Sequence, residues 1–227
     1  MKLAALFSGG KDSTYSIYKA IKMGHDVRCL ITINPVSEES RLLHHPNIQS
    51  TTVQAQMMQM PQIMVDVDSE NTVEEMLAIK SALFDAKTRY GIDGLVHGGI
   101  LSQFQKEHFE SVANDLGLQV LAPIWKQDQK QYMEDLIDSG FEFIITAVSC
   151  DGLDESWLGR KITKNDFAAL QTLSKKYQFN LSFEGGEAET FVTNCPLFAW
   201  PIKITKFTKT WDGYRGRFEI LQSEIEK

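Results

Sequence analysis

Two stretches of the chain combine residues that could bind and transform a ligand: Ser8-Gly9-Gly10-Lys11-Asp12-Ser13 near the start and Glu184-Gly185-Gly186-Glu187-Ala188-Glu189-Thr190 near the end. In the first, Gly9 and Gly10 can adopt positive φ and let backbone N–H groups approach a ligand closely. The helix that opens there adds the positive end of its dipole, and Lys11 adds a full charge. Such a stretch binds an anion, and phosphate is the natural one. In the second, Glu184, Glu187 and Glu189 crowd together and repel one another unless cations stand near. Each stretch also has a bland reading. The first can be an ordinary strand-to-helix turn with Asp12 or Ser13 as N-cap, and the second a solvated acidic turn.

Other chemically capable residues are less concentrated. His97-Gly98-Gly99-Ile100-Leu101-Ser102 is a second place where a short apolar strand meets glycines and then a helix. His44-His45 has no third ligand at a helical spacing, which favours a surface or substrate-contacting loop over a metal site. Arg160, after Trp157-Leu158-Gly159, can face an anion. Cys29, Cys150 and Cys195 are scattered and form no CxxC pair, so a zinc ribbon, an iron–sulfur cluster or a redox dithiol has no support.

These residues need elements to position them. Leu3 to Phe7 reads as a buried strand, and helical spacing runs from Asp12 until Gly24. Strands are then expected at His25 to Ile33, Ile63 to Val65, Leu95-Val96 and Gln119 to Leu121. Helices are expected at Thr51 to Gln59, Glu70 to Tyr90 and Gln103 to Leu116. In the long helix, Val73, Met76, Leu77, Ile79, Leu83 and Phe84 are assigned to one inward face. This alternation predicts an α/β fold, a doubly wound, mainly parallel sheet of about five strands. In such a sheet ligands bind outside the carboxyl ends of the strands. A soft boundary near Trp125 divides the chain into 1–125 and 126–227. The C-terminal region has helices at Gln131 to Ser139 and Lys164 to Tyr177 and a strand at Phe141 to Val148. It closes with a β-hairpin from Ile202 to Leu221 around Trp211-Asp212-Gly213, so it reads as a smaller α+β unit. Glu184 to Thr190 is expected to be a loop.

Composition narrows the function classes. The 227 residues are 43% hydrophobic and 23% charged, ordinary for a globular chain that buries a substantial core. A net charge of −7 counts against nucleic acid as a partner. The first apolar run is too short for a signal peptide, and no run approaches the ~20 apolar residues of a membrane span. Reduced thiols in a cytoplasmic protein are the expectation. A homo-oligomer is compatible with all of this.

Ser8 to Ser13 resembles the PP-loop, SGGxDS, of the N-type ATP pyrophosphatases, with their adenine-nucleotide α-hydrolase-like fold; it is not a Walker A loop. With the second stretch the resemblance narrows. The chain is similar to the diphthine–ammonia ligases in their short archaeal form, which lacks the extra C-terminal domains of eukaryotic members. The resemblance is carried by Ser8 to Ser13, His44-His45-Pro46-Asn47, Gly99-Ile100-Leu101-Ser102 with Phe104-Gln105, Leu121 to Trp125, Leu158-Gly159-Arg160, and Glu184 to Phe191 with Cys195-Pro196-Leu197-Phe198. Phe104 stands where many relatives have tyrosine.

The resemblance implies amidation of the diphthine carboxylate on translation elongation factor 2, with ATP and ammonia, through an acyl-adenylate, releasing AMP and pyrophosphate. Free ammonium is the expected nitrogen source. It implies nucleotide contacts from Ser8, Gly9, Gly10, Lys11, Asp12, Ser13, Ile33, Gly98 and Gly99, with Mg²⁺ on Asp12. Catalytic roles fall to Lys11, Asp12, Glu184, Glu187 and Glu189. Substrate contacts fall to His45, Ser102, Gln105, Trp157, Arg160, Glu187 and Thr190. Residues 1–125 would bind ATP and residues 126–227 would recognise the substrate. Diphthine carries a trimethylammonium group and ammonium is also cationic; the glutamates would attract either, and a ring face of Trp157 or Phe191 would cover the quaternary nitrogen. Two other readings stay open: a PP-loop tRNA-modifying enzyme and a non-catalytic adenine-nucleotide-binding module.

Overall fold

Short apolar runs that stop at glycine or a polar turn form the strands of a buried sheet, and amphipathic runs between them form its helices. A computed structural model of the chain describes residues 1–35, 47–67 and 71–226. It divides into two units, Met1–Trp125 and Lys126–Lys227.

In the first unit β1 (Lys2–Leu6), β2 (Asp26–Pro35), β3 (Gln62–Val67), β4 (Gly94–Val96) and β5 (Gln119–Leu121) form one sheet in the order β3-β2-β1-β4-β5. Every neighbouring pair is parallel, as the alternating pattern predicts. Leu3, Ala4 and Ala5 of the central strand are fully buried, which is why β1 is an unbroken apolar run. The helices are α1 (Lys11–Lys22), α2 (Thr51–Met58), α3 (Thr72–Tyr90) and α4 (Gln103–Asp115). From β1 the chain builds outward through β2 to β3, then returns to lay β4 and β5 on the opposite side. The crevice outside the carboxyl ends of β1 and β4 is therefore the switch point of the sheet, where ligands of such folds bind.

Helix α3 corrects one expectation. It buries Glu75, Ile79, Ala82, Leu83 and Ala86, while Val73, Leu77 and Phe84 are 63%, 60% and 63% exposed. The buried residues follow the i, i+4, i+7, i+8, i+11 spacing of one helical face, and the two alanines bring the backbone close to the sheet. Counting bulky apolar residues placed the face one position away. Asn71 caps the start of this helix by accepting from the Val73 N–H at 2.9 Å, and Gly91 ends it in the left-handed region with φ 62°.

The second unit holds α5 (Gln129–Asp138), β6 (Glu142–Val148), α6 (Lys164–Tyr177), β7 (Ala188–Asn194), β8 (Ile202–Trp211) and β9 (Gly216–Ile225). Its sheet is antiparallel in the order β7-β6-β9-β8. Thr163 and Asp166 form a reciprocal capping box at the start of α6. Two expectations change here. Ala188 to Thr190 is not loop but the start of β7, with Ala188 opposite Val148 and Thr190 opposite Ile145. The glycines and acids argued for a loop; the free edge of β6 supplies ladder partners that local composition does not reveal. The hairpin turn is Asp212 to Arg215, one step later than expected, because Asp212 Oδ1 accepts from the N–H groups of Tyr214 at 2.9 Å and Arg215 at 2.7 Å.

All three cysteines are free and buried. Burial pushes the thiols of Cys29 and Cys195 up to about 12 and that of Cys150 to about 11. Among the described residues no helix is long and apolar enough to cross a membrane.

Candidate active site

The candidate site of the first unit grows from the end of β1. Phe7 leaves the strand with its N–H on the Ile31 carbonyl at 2.8 Å, and its own carbonyl accepts from Thr32 Oγ1 at 2.8 Å. Gly9 then turns with φ +78°. A Cβ there would stand 2.3 Å from Gln54 Oε1 and 2.9 Å from Thr51 Cγ2, so both conformation and space require glycine. Gly10, for which positive φ is also expected from sequence, is instead extended (φ −75°, ψ 168°) and serves as the N-cap of α1. Gly10 has no side chain with which to cap the helix. Neither Asp12 nor Ser13 fills the N-cap role that the bland reading gives them, and the first turn directs its N–H groups and dipole out of the carboxyl edge of the sheet.

The side chains of the loop are tied to one another. Ser13 Oγ donates to the Gly10 carbonyl at 3.2 Å, accepts from the Ser8 N–H at 3.3 Å and lies 3.2 Å from Ser8 Oγ. Lys11 is only 2% exposed, and its Nζ donates to both Asp12 carboxylate oxygens at 2.9 Å. A buried ammonium held against a partly exposed carboxylate is a charge pair that an arriving anion and its counter-ion can share.

Polar residues not singled out from the sequence hold this loop from α2 and the strand ends. Gln54, fully buried, donates from Nε2 to the Gly9 carbonyl at 2.9 Å. Gln62 Nε2 donates to Thr32 Oγ1 at 2.8 Å and to Thr51 Oγ1 at 2.9 Å. The available signal was a threonine and a glutamine, Thr51 and Gln54, at helical spacing on the same face as Ala55 and Met58.

The second glycine loop meets the first. Val96 ends β4, and His97 donates its N–H to the Leu121 carbonyl at 3.2 Å. Gly98 lies so close to α1 that a Cβ on it would come 2.6 Å from Ser13 N and 2.7 Å from the Asp12 carbonyl carbon. Glycine is therefore what lets the two loops pack backbone to backbone. His97 is 1% exposed and meets the Phe109 ring edge-on at 5.2 Å. Its Nδ1 accepts from the Gly99 N–H at 3.1 Å. Burial drives its pKa down to about 4 against the opposing pull of Glu110, with Lys106 adding to the fall. Ser102 Oγ caps α4 by accepting from the Gln105 N–H at 3.3 Å. Ile33 sits within β2, opposite Val65. His45 lies outside the described residues.

In the second unit the three glutamates are not equivalent. Glu187 is turned into its own loop, where Oε1 accepts from the N–H of Asn180 at 2.8 Å and from its Nδ2 at 2.7 Å. Oε2 accepts from the Gly185 N–H at 2.7 Å. A Cβ on Gly185 would stand 2.7 Å from Glu187 Oε1, so this glycine makes room for the carboxylate. Gln129 extends the network, donating to Asn180 Oδ1 at 3.2 Å and accepting from the Ser182 N–H at 3.1 Å. Phe183, buried, is held in the left-handed region at φ 63°. That is a strained setting for an aromatic residue, of a kind that clusters at functional loops. N–H donors thus surround the Glu187 carboxylate. Glu184 and Glu189 are half-buried, and Glu189 in β7 stands opposite Ala147 of β6. Asn180 and Gln129 carry no motif that singles them out in sequence.

Trp157 is 5% exposed, and the Arg160 guanidinium lies 4.7 Å over its ring. Arg160 also pairs with Asp166. Burial pushes the Asp166 carboxyl up, but the Thr163 hydroxyl and N–H together with Arg160 outweigh it and hold the group below its ordinary range. One face of Trp157 is therefore covered, and the anion that Arg160 meets in this structure is Asp166.

Comparison with known proteins covers both halves. Residues 1–120 match a family described as "Diphthamide synthase N-terminal domain" and residues 128–225 one described as "Diphthamide synthase C-terminal domain". The chain is 31% identical to "Diphthine--ammonia ligase" of Bos taurus over 87% of this chain and 80% of that protein. It is 30% identical to the protein of the same name from Danio rerio, over 90% of this chain and 86% of that one. A solved structure titled "The crystal structure of predicted subunit of tRNA methyltransferase from Methanocaldococcus jannaschii DSM" is similar with a TM-score of 0.47 and 17% identity, over 86% of this chain and 97% of that one.

Proposed function

The chain belongs to the diphthamide synthase family in both its units, and from that premise we propose that it is an ATP-dependent amide ligase. It joins ammonia to the carboxylate of diphthine on translation elongation factor 2 and releases AMP and pyrophosphate. The observation that supports this best is the first turn of α1, opened by the glycine N-cap Gly10, at the switch point of the sheet, with buried Lys11 beside it. That is an anion site built for a phosphate chain.

A carboxylate is a poor acyl donor until its oxygen is esterified. In the first step a diphthine carboxylate oxygen attacks the α-phosphorus of ATP, and the bond from that phosphorus to the bridging oxygen breaks to release pyrophosphate. In the second, ammonia attacks the acyl carbon, the bond to the AMP oxygen breaks, and the nitrogen loses a proton to solvent or base. In this reading Lys11 and the N–H groups of the first turn of α1 meet the charge that builds on the leaving pyrophosphate, while Ser8 and Ser13 orient its oxygens. Asp12 is a single carboxylate. That donor suits Mg²⁺ carried in on nucleotide phosphates rather than a cage of protein ligands, and the ion, when bound, neutralises phosphate charge. Ile33, Gly98 and Gly99 border the nucleotide.

Residues 126–227 recognise the substrate in this reading. Glu184 and Glu189 present the negative field toward the trimethylammonium group or ammonium, with Thr190 beside them. Glu187 contributes by shaping the loop that carries Glu184. The reaction takes place in the cytoplasm, where the elongation factor works. Mass spectrometry of diphthine-bearing elongation factor 2 after incubation with the protein, ATP and ammonium tests the proposal. The amide product is expected, and an unchanged mass with folded, ATP-competent protein would defeat it.

A further inference from the structure

We propose that His97 is a positioning residue for the phosphate-binding loop, acting through Gly99 and Gly98 to fix where the first turn of α1 stands. The inference rests on the reading of Gly9 to Ser13 as an ATP site and adds a residue to its support. His97 does not face that loop itself. Its ring is buried edge-on against Phe109, and its Nε2 is buried with no hydrogen-bond partner among the described residues. Such an orphaned donor lowers stability, so a residue kept only for packing would be better replaced by an apolar one. What the imidazole supplies is Nδ1, which accepts the Gly99 N–H and so fixes the ring as the tautomer protonated on Nε2. That bond curls the chain from 97 to 99 and leaves Gly98 at its crest. Gly98 in turn lies in backbone contact with the peptide joining Asp12 and Ser13, closer than any side chain would permit. A shift of the crest would be transmitted directly to the N–H groups that meet phosphate. Gln54 holds the same loop from its other side through the Gly9 carbonyl.

The test compares His97→Leu with His97→Asn in the full chain, following thermal stability, ATP binding by calorimetry and pyrophosphate release. Leucine removes the acceptor, whereas the Oδ1 of asparagine can stand where Nδ1 stood. For His97→Leu the Kd and KM for ATP are expected to rise roughly tenfold, the equivalent of one hydrogen bond, with kcat at saturating ATP changed less than about threefold. In His97→Asn the ATP KM should return to within about threefold of the unsubstituted protein. If the leucine variant does not fold, His97→Gln provides the contrast, since its amide oxygen sits one methylene too far. Folded variants that lose thermal stability but keep the original ATP KM would overturn the proposal, as would asparagine performing no better than leucine. An unsubstituted protein that binds no ATP would instead sink the reading of the loop, and this inference with it.

Discussion

The amide of Gln54 donates to the carbonyl of Gly9 at 2.9 Å, across 45 residues of sequence. The bond fixes the one residue of the glycine turn that adopts positive φ, so a buried helix glutamine governs the geometry of a loop that it does not belong to. Gln54→Leu keeps most of the volume and removes the donor. The variant is expected to lose about 1–3 kcal/mol of stability, because the Gly9 carbonyl is left buried without its partner. ATP titration should show weakened binding alongside a lower Tm, and an unchanged Tm would show that the amide is dispensable.

Lys11 is buried against Asp12, so Lys11→Met leaves a carboxylate without its cation and a phosphate site without its full positive charge. Pyrophosphate release should fall about 100-fold or more, the scale seen when one preorganised stabilising group is lost. A rate within a few-fold of the original would place the stabilising charge elsewhere.

Glu187→Gln replaces one accepting oxygen with an NH₂ group that must face N–H donors from Asn180 or Gly185. The loop should lose about 1.5–3 kcal/mol, the range for hydrogen bonds to a charged group. Amidation is expected to fall together with thermal stability while ATP affinity, which depends on residues 1–125, holds. Lost amidation at full thermal stability would mean that the carboxylate acts on substrate directly.

The buried His97 gives the stability a dependence on pH. Its pKa lies near 4 in the folded chain and 6.5 ordinarily, so between those values the unfolded chain binds a proton that the folded one refuses. Stability is therefore complete above the ordinary pKa and is lost as pH falls through the window, by roughly 3 kcal/mol in total. Urea midpoints measured between pH 7.5 and 4.5 should show this decline, and His97→Asn should flatten it. An equal decline in the variant would assign the effect to other groups.

Local signals carried much of the fold. Strand–glycine–helix junctions at Gly9 and Gly98, and the amphipathic run from Lys164 to Tyr177, are written in neighbouring residues and were legible without coordinates. What escaped depends on partners distant in sequence. Gln54 carries no motif that singles it out until the Gly9 carbonyl is placed beside it. Glu187 reads as a free charge until Asn180 is folded over it, and Ala188 to Thr190 reads as loop until β6 offers an edge. The inward face of α3 went astray because Val73 and Leu77 outweighed alanines whose value lies in their smallness.

The central place of β1 also bears on the order in which the molecule can mature. Lys2 donates its N–H to Asp93, 91 residues away, at 2.8 Å, and β1 pairs with β4 in the same region. Closing so long a span is entropically expensive, and parallel pairing of this kind is slow. A nascent chain that has emerged only as far as α3 already carries every residue of Ser8 to Ser13, yet Gly98 has not arrived to press against them. Nucleotide affinity should therefore appear late in refolding, in step with the docking of β4 rather than with the formation of α1.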